Sequence, residues 1–122
     1  MNRQMAKKGR AAIFLAIGLL LGAGPVRGQD KAAGSQTSST AMLYQAKCAI
    51  CHGEDGNGET PAGKALGAGD QRSEAIQKMT DAQMTDIIAN GKGHMQAWKN
   101  KLTAKQIKEL VAYIRTLANK KP

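Results

Sequence analysis

The stretch that decides the fold is Cys48-Ala49-Ile50-Cys51-His52, which contains both cysteines of the 122-residue chain. Two thiols three residues apart fit on one turn of helix, and the next residue supplies an imidazole. This C-x-x-C-H pattern is typical of haem attachment, in which both thiols bond to the porphyrin and the histidine binds its iron. We therefore expect one covalently attached haem c, held by Cys48, Cys51 and His52.

Three other uses of the cysteine pair explain the sequence less well. A disulfide between Cys48 and Cys51 would close only a tiny loop and would not require His52. A thioredoxin-like redox pair needs a βαβ context, which the sequence does not show. A zinc site needs two more ligands, but His52 and His94 are the only histidines, and His52 lies too close to Cys51 for an ordinary ligand pair.

A methionine is expected as the second axial ligand of the iron. Met95 follows Gly91-Lys92-Gly93-His94, in a segment where no helical face calls for an apolar residue. A thioether is a soft ligand that raises the reduction potential, so we predict His52 and Met95 as the iron ligands. His94, the adjacent residue, is the rival for the second position. The other methionines of this region are interpreted as packing residues, with Met42 in the core and Met79 and Met84 on short helices.

Residues 1–28 are expected to be a cleaved secretory signal that directs the protein to the periplasm. Basic residues precede an apolar run from Ala11 to Ala23, and Val26 and Gly28 put small or modest residues at the third-last and last positions before a possible cut. The run is shorter than the roughly 18–20 apolar residues that span a bilayer, and an uncleaved anchor is the alternative. Residues 29–39 are small, polar and aperiodic, which predicts a flexible lead-in to one domain over residues 40–122.

Removing this signal changes what the charge implies. The full chain has 18 Lys and Arg against 9 Asp and Glu, and residues 1–28 hold five of the basic residues and no acidic one. The net charge therefore falls from +9 to +4. Aromatic side chains that stack on bases are scarce, so we expect no nucleic-acid ligand.

The segments with a clear pattern after residue 39 are all helical. Capping boxes at Thr80 and at Thr103, each with glutamine three residues later, predict two helix starts. The glycine-rich segment 53–69 is expected to be loop, and no segment alternates like a strand. The predicted helices begin at Ser39 or Thr40, cover 73–79, run from Thr80 to Asn90, and start at Thr103 with Ile107, Leu110, Val111, Ile114 and Leu117 on one face.

From about Thr40 to Leu117 the chain resembles the class I c-type cytochromes of the bacterial and photosynthetic type. The matching motifs occur in the family's order and include Leu43-Tyr44, the segment from Cys48 to Gly53, Gly56-Asn57-Gly58, Pro61-Ala62-Gly63, the segment from Gly91 to Trp98, Lys101-Leu102-Thr103 and the segment from Leu110 to Ile114. The resemblance implies an all-α cytochrome c fold with three to five helices around one haem.

The resemblance also assigns roles to single residues. It implies that the first and last helices cross where Tyr44, Tyr113 and Leu110 meet. It implies that the Pro61 carbonyl accepts a hydrogen bond from the proximal imidazole, although a turn proline is the alternative. Gln96 stands where the family often has proline, which leaves the Met95 loop with more conformational freedom. Trp98 is expected to pack against the haem or this loop.

The expected function is one-electron transfer outside the cytoplasm, without enzymatic chemistry, because no nucleophile-and-base pair is present. The alternative is a haem-bearing subunit of a dehydrogenase or oxidase complex, and a haem-based sensor is a weaker third hypothesis. We expect a monomer that meets membranes only through partner complexes. Its redox partners are expected to have an acidic docking surface, because several lysines lie close together in sequence around and after the Met95 loop. These are Lys92, Lys99, Lys101, Lys105 and Lys108, whereas the acidic residues Glu54, Asp55 and Glu59 lie in the loop after His52.

Overall fold

The computed structural model describes residues 30–120, so the predicted signal at 1–28 lies outside the described residues. Six helices occur in this range: α1 (Asp30–Lys47), α2 (Ala49–His52), α3 (Pro61–Leu66), α4 (Glu74–Gln77), α5 (Asp81–Asn90) and α6 (Ala104–Leu117). The only strand-like feature within residues 30–120 is an isolated bridge between Lys92 and Met95. The predicted all-α class is confirmed. The helix number exceeds the predicted three to five because α2 and α4 are separate four-residue turns.

Helix α6 forms where the sequence places both a start signal and an apolar face. The Thr103 hydroxyl accepts a hydrogen bond from the Gln106 N–H, and the Gln106 side-chain oxygen accepts one from the Thr103 N–H. All five residues of the predicted apolar face are buried, and Tyr113 is buried with them. The same reciprocal cap at Thr80 begins α5, which ends before Gly91. Both predicted helices are confirmed.

Helices α1 and α6 cross at the contact that the resemblance implies. The ring centroids of Tyr44 and Tyr113 lie 5.0 Å apart with their planes tilted by 48°. Leu110 is fully buried in the same core cluster. Tilted aromatic pairs at this separation stabilise a fold beyond the area that they bury. This crossing packs the first described helix against the last.

Helix α1 begins earlier than predicted. It starts at Asp30, so residues 30–39, predicted as a flexible lead-in, are helical. The hydroxyls of Ser38 and Ser39 donate to the carbonyls of Gly34 and Gln36 in the preceding turn. A serine that bonds backwards in this way continues a helix instead of capping its start. The expected start at Ser39 or Thr40 is therefore wrong.

Met42 is 66% exposed, so its predicted place in the core is also wrong. The buried side of α1 is defined by Thr40 and Tyr44, which are four residues apart and lie on one face. Met42 follows Thr40 by two residues, about 200° around the helix axis. This offset places Met42 on the opposite face of α1, although it lies close to core residues in sequence.

The glycine-rich segment 53–69 is not entirely loop, because it contains α3. Thr60 caps this helix by accepting a hydrogen bond from the Gly63 N–H at 2.9 Å. Pro61 occupies the first helical position, where its missing N–H costs nothing, and Gly67 ends the helix in the left-handed conformation. The density of glycines hides a short helix that carries its own start and stop signals.

Arg115 of α6 fastens the end of α4 to the bundle. Its guanidinium donates to the carbonyl oxygens of Gln77 and Met79, at 2.6 and 2.5 Å, and to the carboxylate of Asp81. The Gln77 carbonyl ends α4 and the Met79 carbonyl lies just beyond it, so neither has a partner within that short helix. The contact holds in place the segment around Met79, which forms part of one wall of the large cavity described next.

Candidate cofactor-binding cavity

One large cavity of about 630 Å³ opens between α2, α3, α4 and the loop that follows α5. All four residues predicted to hold the haem lie on its walls: Cys48, Cys51, His52 and Met95. The first three approach from one side on the α2 turn, and Met95 comes from a loop 43 positions further along the chain. The structure thus brings into one cavity residues that the sequence separates.

The α2 turn presents both thiols and the imidazole together. The Cys48 N–H donates to the Tyr44 carbonyl at 2.8 Å, and the His52 N–H donates to the Cys48 carbonyl at 2.9 Å, so the motif continues α1 as one tight turn. Cys48 and Cys51 are both free thiols and half-buried. Burial, with a smaller contribution from Cys51, raises the pKa of Cys48 to about 11. The Cys48 thiol therefore keeps its proton near neutral pH.

His52 is half-buried and lines the cavity. Its Nδ1 atom is fully buried and has no hydrogen-bond partner. Burial lowers the pKa of His52, because a low-dielectric surrounding disfavours the charged imidazolium. A neutral imidazole can offer a lone pair to a metal, so His52 is suited to be a metal ligand.

The hydrogen bond expected between the Pro61 carbonyl and the imidazole of His52 is absent, since Nδ1 has no partner. Pro61 is the first residue of α3. A carbonyl at that position points along the helix axis toward the N–H four residues later. The prediction for Pro61 is therefore wrong in this structure, and the residue acts as the first residue of a helix.

Thr60 and Gly63 hold the α2 turn; sequence reasoning missed Thr60 and named Gly63 only as part of a matching motif. The Thr60 hydroxyl lies 2.8 Å from the Ile50 carbonyl and 2.9 Å from the Cys51 carbonyl. Helix α3 approaches the α2 turn so closely at Gly63 that a Cβ there would overlap the carbonyl oxygen of Cys51. The same Cβ would lie 2.5 Å from the carbonyl oxygen of Gly58. The Thr60-Pro61 pair was the available signal, because it has the form of an N-cap followed by a first-turn proline.

We expect Gly63→Ala to destabilise the haem-loaded protein by roughly 1–3 kcal/mol or more, because the added methyl group must displace backbone atoms. Urea unfolding of the haem-loaded protein measures this loss. Gly34→Ala is the matched control, since a Cβ at Gly34 meets nothing within 4 Å. An unchanged midpoint for Gly63→Ala would show that α3 moves away from the motif without cost.

Tyr44 ties α1 to the loop that follows His52. Its hydroxyl lies 3.1 Å from the Gly53 carbonyl and 2.7 Å from the side-chain oxygen of Gln71, and the side chain is fully buried. Burial, followed by the nearby Cys48, raises the pKa of Tyr44 above its ordinary value, so the phenol remains a donor. The Gln71 N–H in turn donates to the Gly56 carbonyl at 2.8 Å. The hydroxyl thus connects three segments around the motif.

Tyr44→Phe is expected to cost about 1–3 kcal/mol, because it removes the phenol donor of the Gln71 side-chain oxygen and leaves the buried Gly53 carbonyl with only the Gly56 N–H. Tyr113→Phe is the control, because it keeps the ring contact and its hydroxyl has no hydrogen-bond partner among residues 34–120. Denaturant titration of the two haem-loaded variants compares them. Equal losses would contradict a specific role of the Tyr44 hydroxyl.

Arg72 fixes the same loop from the other side, and sequence reasoning missed it as well. Its side chain is only 12% exposed and lies 3.0 Å from Asp55 and 3.0 Å from Asp70. Asp55 follows His52 by three residues and also accepts a hydrogen bond from the Asn57 N–H. Arg72 therefore holds the loop after the motif against the segment that leads into α4. No local pattern in the sequence indicates this pairing, which spans 17 positions.

The second wall of the cavity is the loop between α5 and α6. Lys92 and Met95 exchange two backbone hydrogen bonds, which make a tight turn with Gly93 and His94 at its tip. Met95 is half-buried and packs against the core cluster, whereas His94 is exposed, although both line the cavity. Met79 also lines the cavity, while Met84 is buried elsewhere in the core. The packing favours Met95 over His94 as the residue aimed inward.

Trp98 closes the far end of this loop. It is 8% exposed, lines the cavity and belongs to the core cluster. This agrees with its expected packing against the loop. The cavity mouth is edged by exposed apolar side chains, Ile50 and Leu66, and by the cations Lys47 and Lys92. Among the described residues that line the cavity, none is an aspartate or glutamate.

These features fit a large, flat, apolar metal complex. The walls are mainly apolar, and the groups that reach them are two thiols, an imidazole and a thioether. Nitrogen and sulfur donors of this kind suit haem iron and thioether attachment. The cavity and its donor set therefore match the haem predicted from the sequence.

Comparison with known proteins gives the same result. Residues 35–114, more than half of the chain, match the family described as cytochrome c oxidase, cbb3-type, subunit III. The chain is 37% identical over 83 residues to cytochrome c6 of Aphanizomenon flos-aquae, covering 66% of this chain and 88% of that protein. It is 31% identical over 74 residues to cytochrome c6 of Bryopsis maxima, covering 61% and 83%.

Two further relatives differ in how much of them this chain covers. The chain is 34% identical over 85 residues to the cbb3-type cytochrome c oxidase subunit FixP of Azorhizobium caulinodans; this is 63% of the chain, but it spans only 26% of that subunit. The solved structure of the c-type cytochrome KustC0563 matches with a TM-score of 0.60 and 35% identity, covering 64% of this chain and 95% of that one. The chain therefore belongs to the class I c-type cytochromes, a family of electron-transfer proteins, and binds one haem c covalently.

Proposed function

We propose that this protein is a one-electron carrier of an extracytoplasmic electron-transport chain, with haem held by Cys48, Cys51, His52 and Met95. One observation carries the proposal: these four side chains, from two separate parts of the chain, line a single apolar cavity. The bound haem supplies the change of iron oxidation state by one electron. The protein has no substrate to transform, and we propose that it is not an enzyme.

The chain's own residues perform three tasks in this proposal. Cys48 and Cys51 anchor the porphyrin on the α2 turn, and His52 presents a neutral imidazole to the iron. The neutrality follows from the burial that lowers the His52 pKa. Met95 would supply a thioether to the same iron, which would raise the reduction potential and leave no room for an external ligand. The apolar wall, including Trp98, keeps water from the metal.

We also propose that the protein docks on an acidic surface of its redox partner as a monomer. Lys47 and Lys92 stand at the cavity mouth without a carboxylate among the described lining residues. Exposed lysines that follow the Met95 loop add positive charge to the predicted cluster. Such a field would steer an anionic partner toward the mouth, and salt would screen it over a Debye length of about 8 Å.

Lys92→Gln is expected to slow oxidation of the reduced protein by hexacyanoferrate, an anion, by roughly two- to fivefold at low salt. Reaction with the cation hexaammineruthenium should change in the opposite direction, and both differences should shrink as salt is added. Stopped-flow absorbance measures the rates. The control is Lys78→Gln on α4, which removes an exposed lysine paired with Glu74 away from the cavity walls. Equal changes in both variants would contradict local steering at the mouth.

Export through a signal at residues 1–28 belongs to the same proposal. Within residues 30–120, none of the helices has the length and apolar character that crossing a membrane requires. Expression in a host that attaches haem, followed by the intact mass of the denatured protein, tests export and attachment together. A periplasmic chain that begins near Gln29 and carries one haem supports the proposal. A chain without haem would contradict it.

A second candidate function is a haem-bearing subunit of a dehydrogenase or oxidase complex. The observation that favours it is the likeness to FixP, a cbb3-type cytochrome c oxidase subunit of which this chain spans 26%. Gel filtration of the native protein separates the two functions. Elution as a free small protein supports the carrier, and co-elution with a larger complex supports the subunit.

A further inference from the structure

The loop that carries Met95 is fixed at two places and weakly held between them. On one side, Lys92 and Met95 exchange two backbone hydrogen bonds. On the other, the Trp98 N–H lies 3.1 Å from the carbonyls of both Ile88 and Ala89 at the end of α5. Only residues 96 and 97 lie between these places. In the part of the chain that the structure describes, the N–H of neither residue donates a hydrogen bond.

This weak point coincides with the departure from the family pattern. Proline after the ligand methionine restricts the backbone at the position that Gln96 occupies here, and its loss adds conformational freedom. The chain needs another restraint if Met95 is to stay aimed into the cavity. A contact of the Gln96 side chain supplies such a restraint on the loop.

The ammonium group of Lys101 bridges Gln96 and Trp98. Its Nζ lies 2.6 Å from the side-chain oxygen of Gln96 and 5.3 Å from the centroid of the Trp98 ring. The Lys101 backbone is itself fixed, because its N–H donates to the Trp98 carbonyl at 2.8 Å. One cation thus joins the unrestrained residue after Met95 to a buried aromatic ring on the cavity wall.

We propose that Lys101 is a positioning residue that holds the Met95 loop closed, in place of the proline found elsewhere in the family. The inference rests on the proposed role of Met95 as an iron ligand. Lys101 and Gln96 are exposed, so each contact is weak in global stability. The contacts act instead on the local opening of the Met95 loop. A small difference in the free energy of this opening changes how often the iron would be free of Met95.

The test is the binding of free imidazole to the oxidised, haem-loaded full chain, followed by absorbance. Imidazole competes with the thioether, so its apparent affinity reports how readily the loop opens. Lys101→Met, which keeps the aliphatic stem, should raise this affinity about three- to tenfold, the size expected for one exposed cation–π contact and one hydrogen bond. Adding Gln96→Pro to this variant should return the affinity toward the wild-type value, because proline restores the backbone restraint.

Lys120→Met is the matched control. It removes the same charge and a comparable contact, since Lys120 lies 5.6 Å from the Tyr113 ring centroid, but it is not part of the loop. Its imidazole affinity should equal that of the wild type. Equal affinities for Lys101→Met and Lys120→Met would overturn the proposal, and so would failure of Gln96→Pro to rescue a raised affinity.

Met95→Ala distinguishes this failure from failure of the proposed ligand set. If Met95 binds the iron, its removal raises imidazole affinity well beyond the Lys101→Met effect, whatever Lys101 does. If Met95→Ala leaves the affinity unchanged, Met95 is not the ligand, and the positioning role of Lys101 is overturned together with it.

Discussion

The variant Cys48→Ala Cys51→Ala is expected to carry no covalently bound haem and to be largely unfolded. Both thioether bonds require these thiols, and they are the only cysteines of the chain. The expected unfolding follows from the size of the cavity that the haem would fill. At about 24 cal/mol per Å³, an empty cavity of 630 Å³ would cost about 15 kcal/mol. The whole stability of a domain is only about 5–15 kcal/mol.

That cost is an upper figure, because the cavity is open to water at its mouth, but even half of it would be comparable to the whole stability of a small domain. The denatured intact mass measures haem attachment, and far-ultraviolet circular dichroism measures folding. Ile50→Ala is the control on the same turn, since Ile50 is 71% exposed and offers no bond to the porphyrin. Haem that stays attached in the double cysteine variant would refute the assignment of the two thiols.

Met95→Ala is expected to lower the reduction potential by on the order of 0.2 V, within the roughly 0.8 V range that axial ligands span. Loss of the thioether removes a ligand that favours the ferrous iron. It also opens the sixth position, so the ferrous protein should bind carbon monoxide readily. Spectroelectrochemical titration gives the potential, and absorbance shows the carbon monoxide complex.

His94→Ala and Met79→Leu decide whether this effect is specific. Both residues line the same cavity as Met95, but His94 is exposed and Met79 belongs to the wall fastened by Arg115. Each variant should keep a potential close to that of the wild type. A large fall in His94→Ala, with none in Met95→Ala, would make His94 the ligand and would overturn the ligand set proposed for the carrier.

Local signals in the sequence succeeded where their cause is local. The capping boxes at Thr80 and Thr103 predicted two helix starts, because the atoms that form each box lie within four residues. The apolar spacing in α6 predicted its buried face for the same reason. Helix α3 was missed because glycine density outweighed the Thr60-Pro61 start signal.

The error on Met42 has a tertiary cause, whereas the error at Pro61 comes from the short helix that begins there. Met42 is apolar and lies close to core residues in sequence, but the direction of the buried face was set by the contact of Tyr44 with Tyr113 on α6. The direction of the Pro61 carbonyl follows from its place in α3, so a matching residue type was insufficient to predict a bond to His52.

The sequence by itself determined the all-α class, the haem and the motif that leads to it, because C-x-x-C-H concentrates two thiols and an imidazole within five residues. Only the tertiary structure decided which distant groups surround that motif. Thr60, Gly63 and Arg72 reach it from other segments. Contacts of this kind depend on how helices cross and loops close, and no spacing along the chain encodes the distance between two side chains that folding brings together.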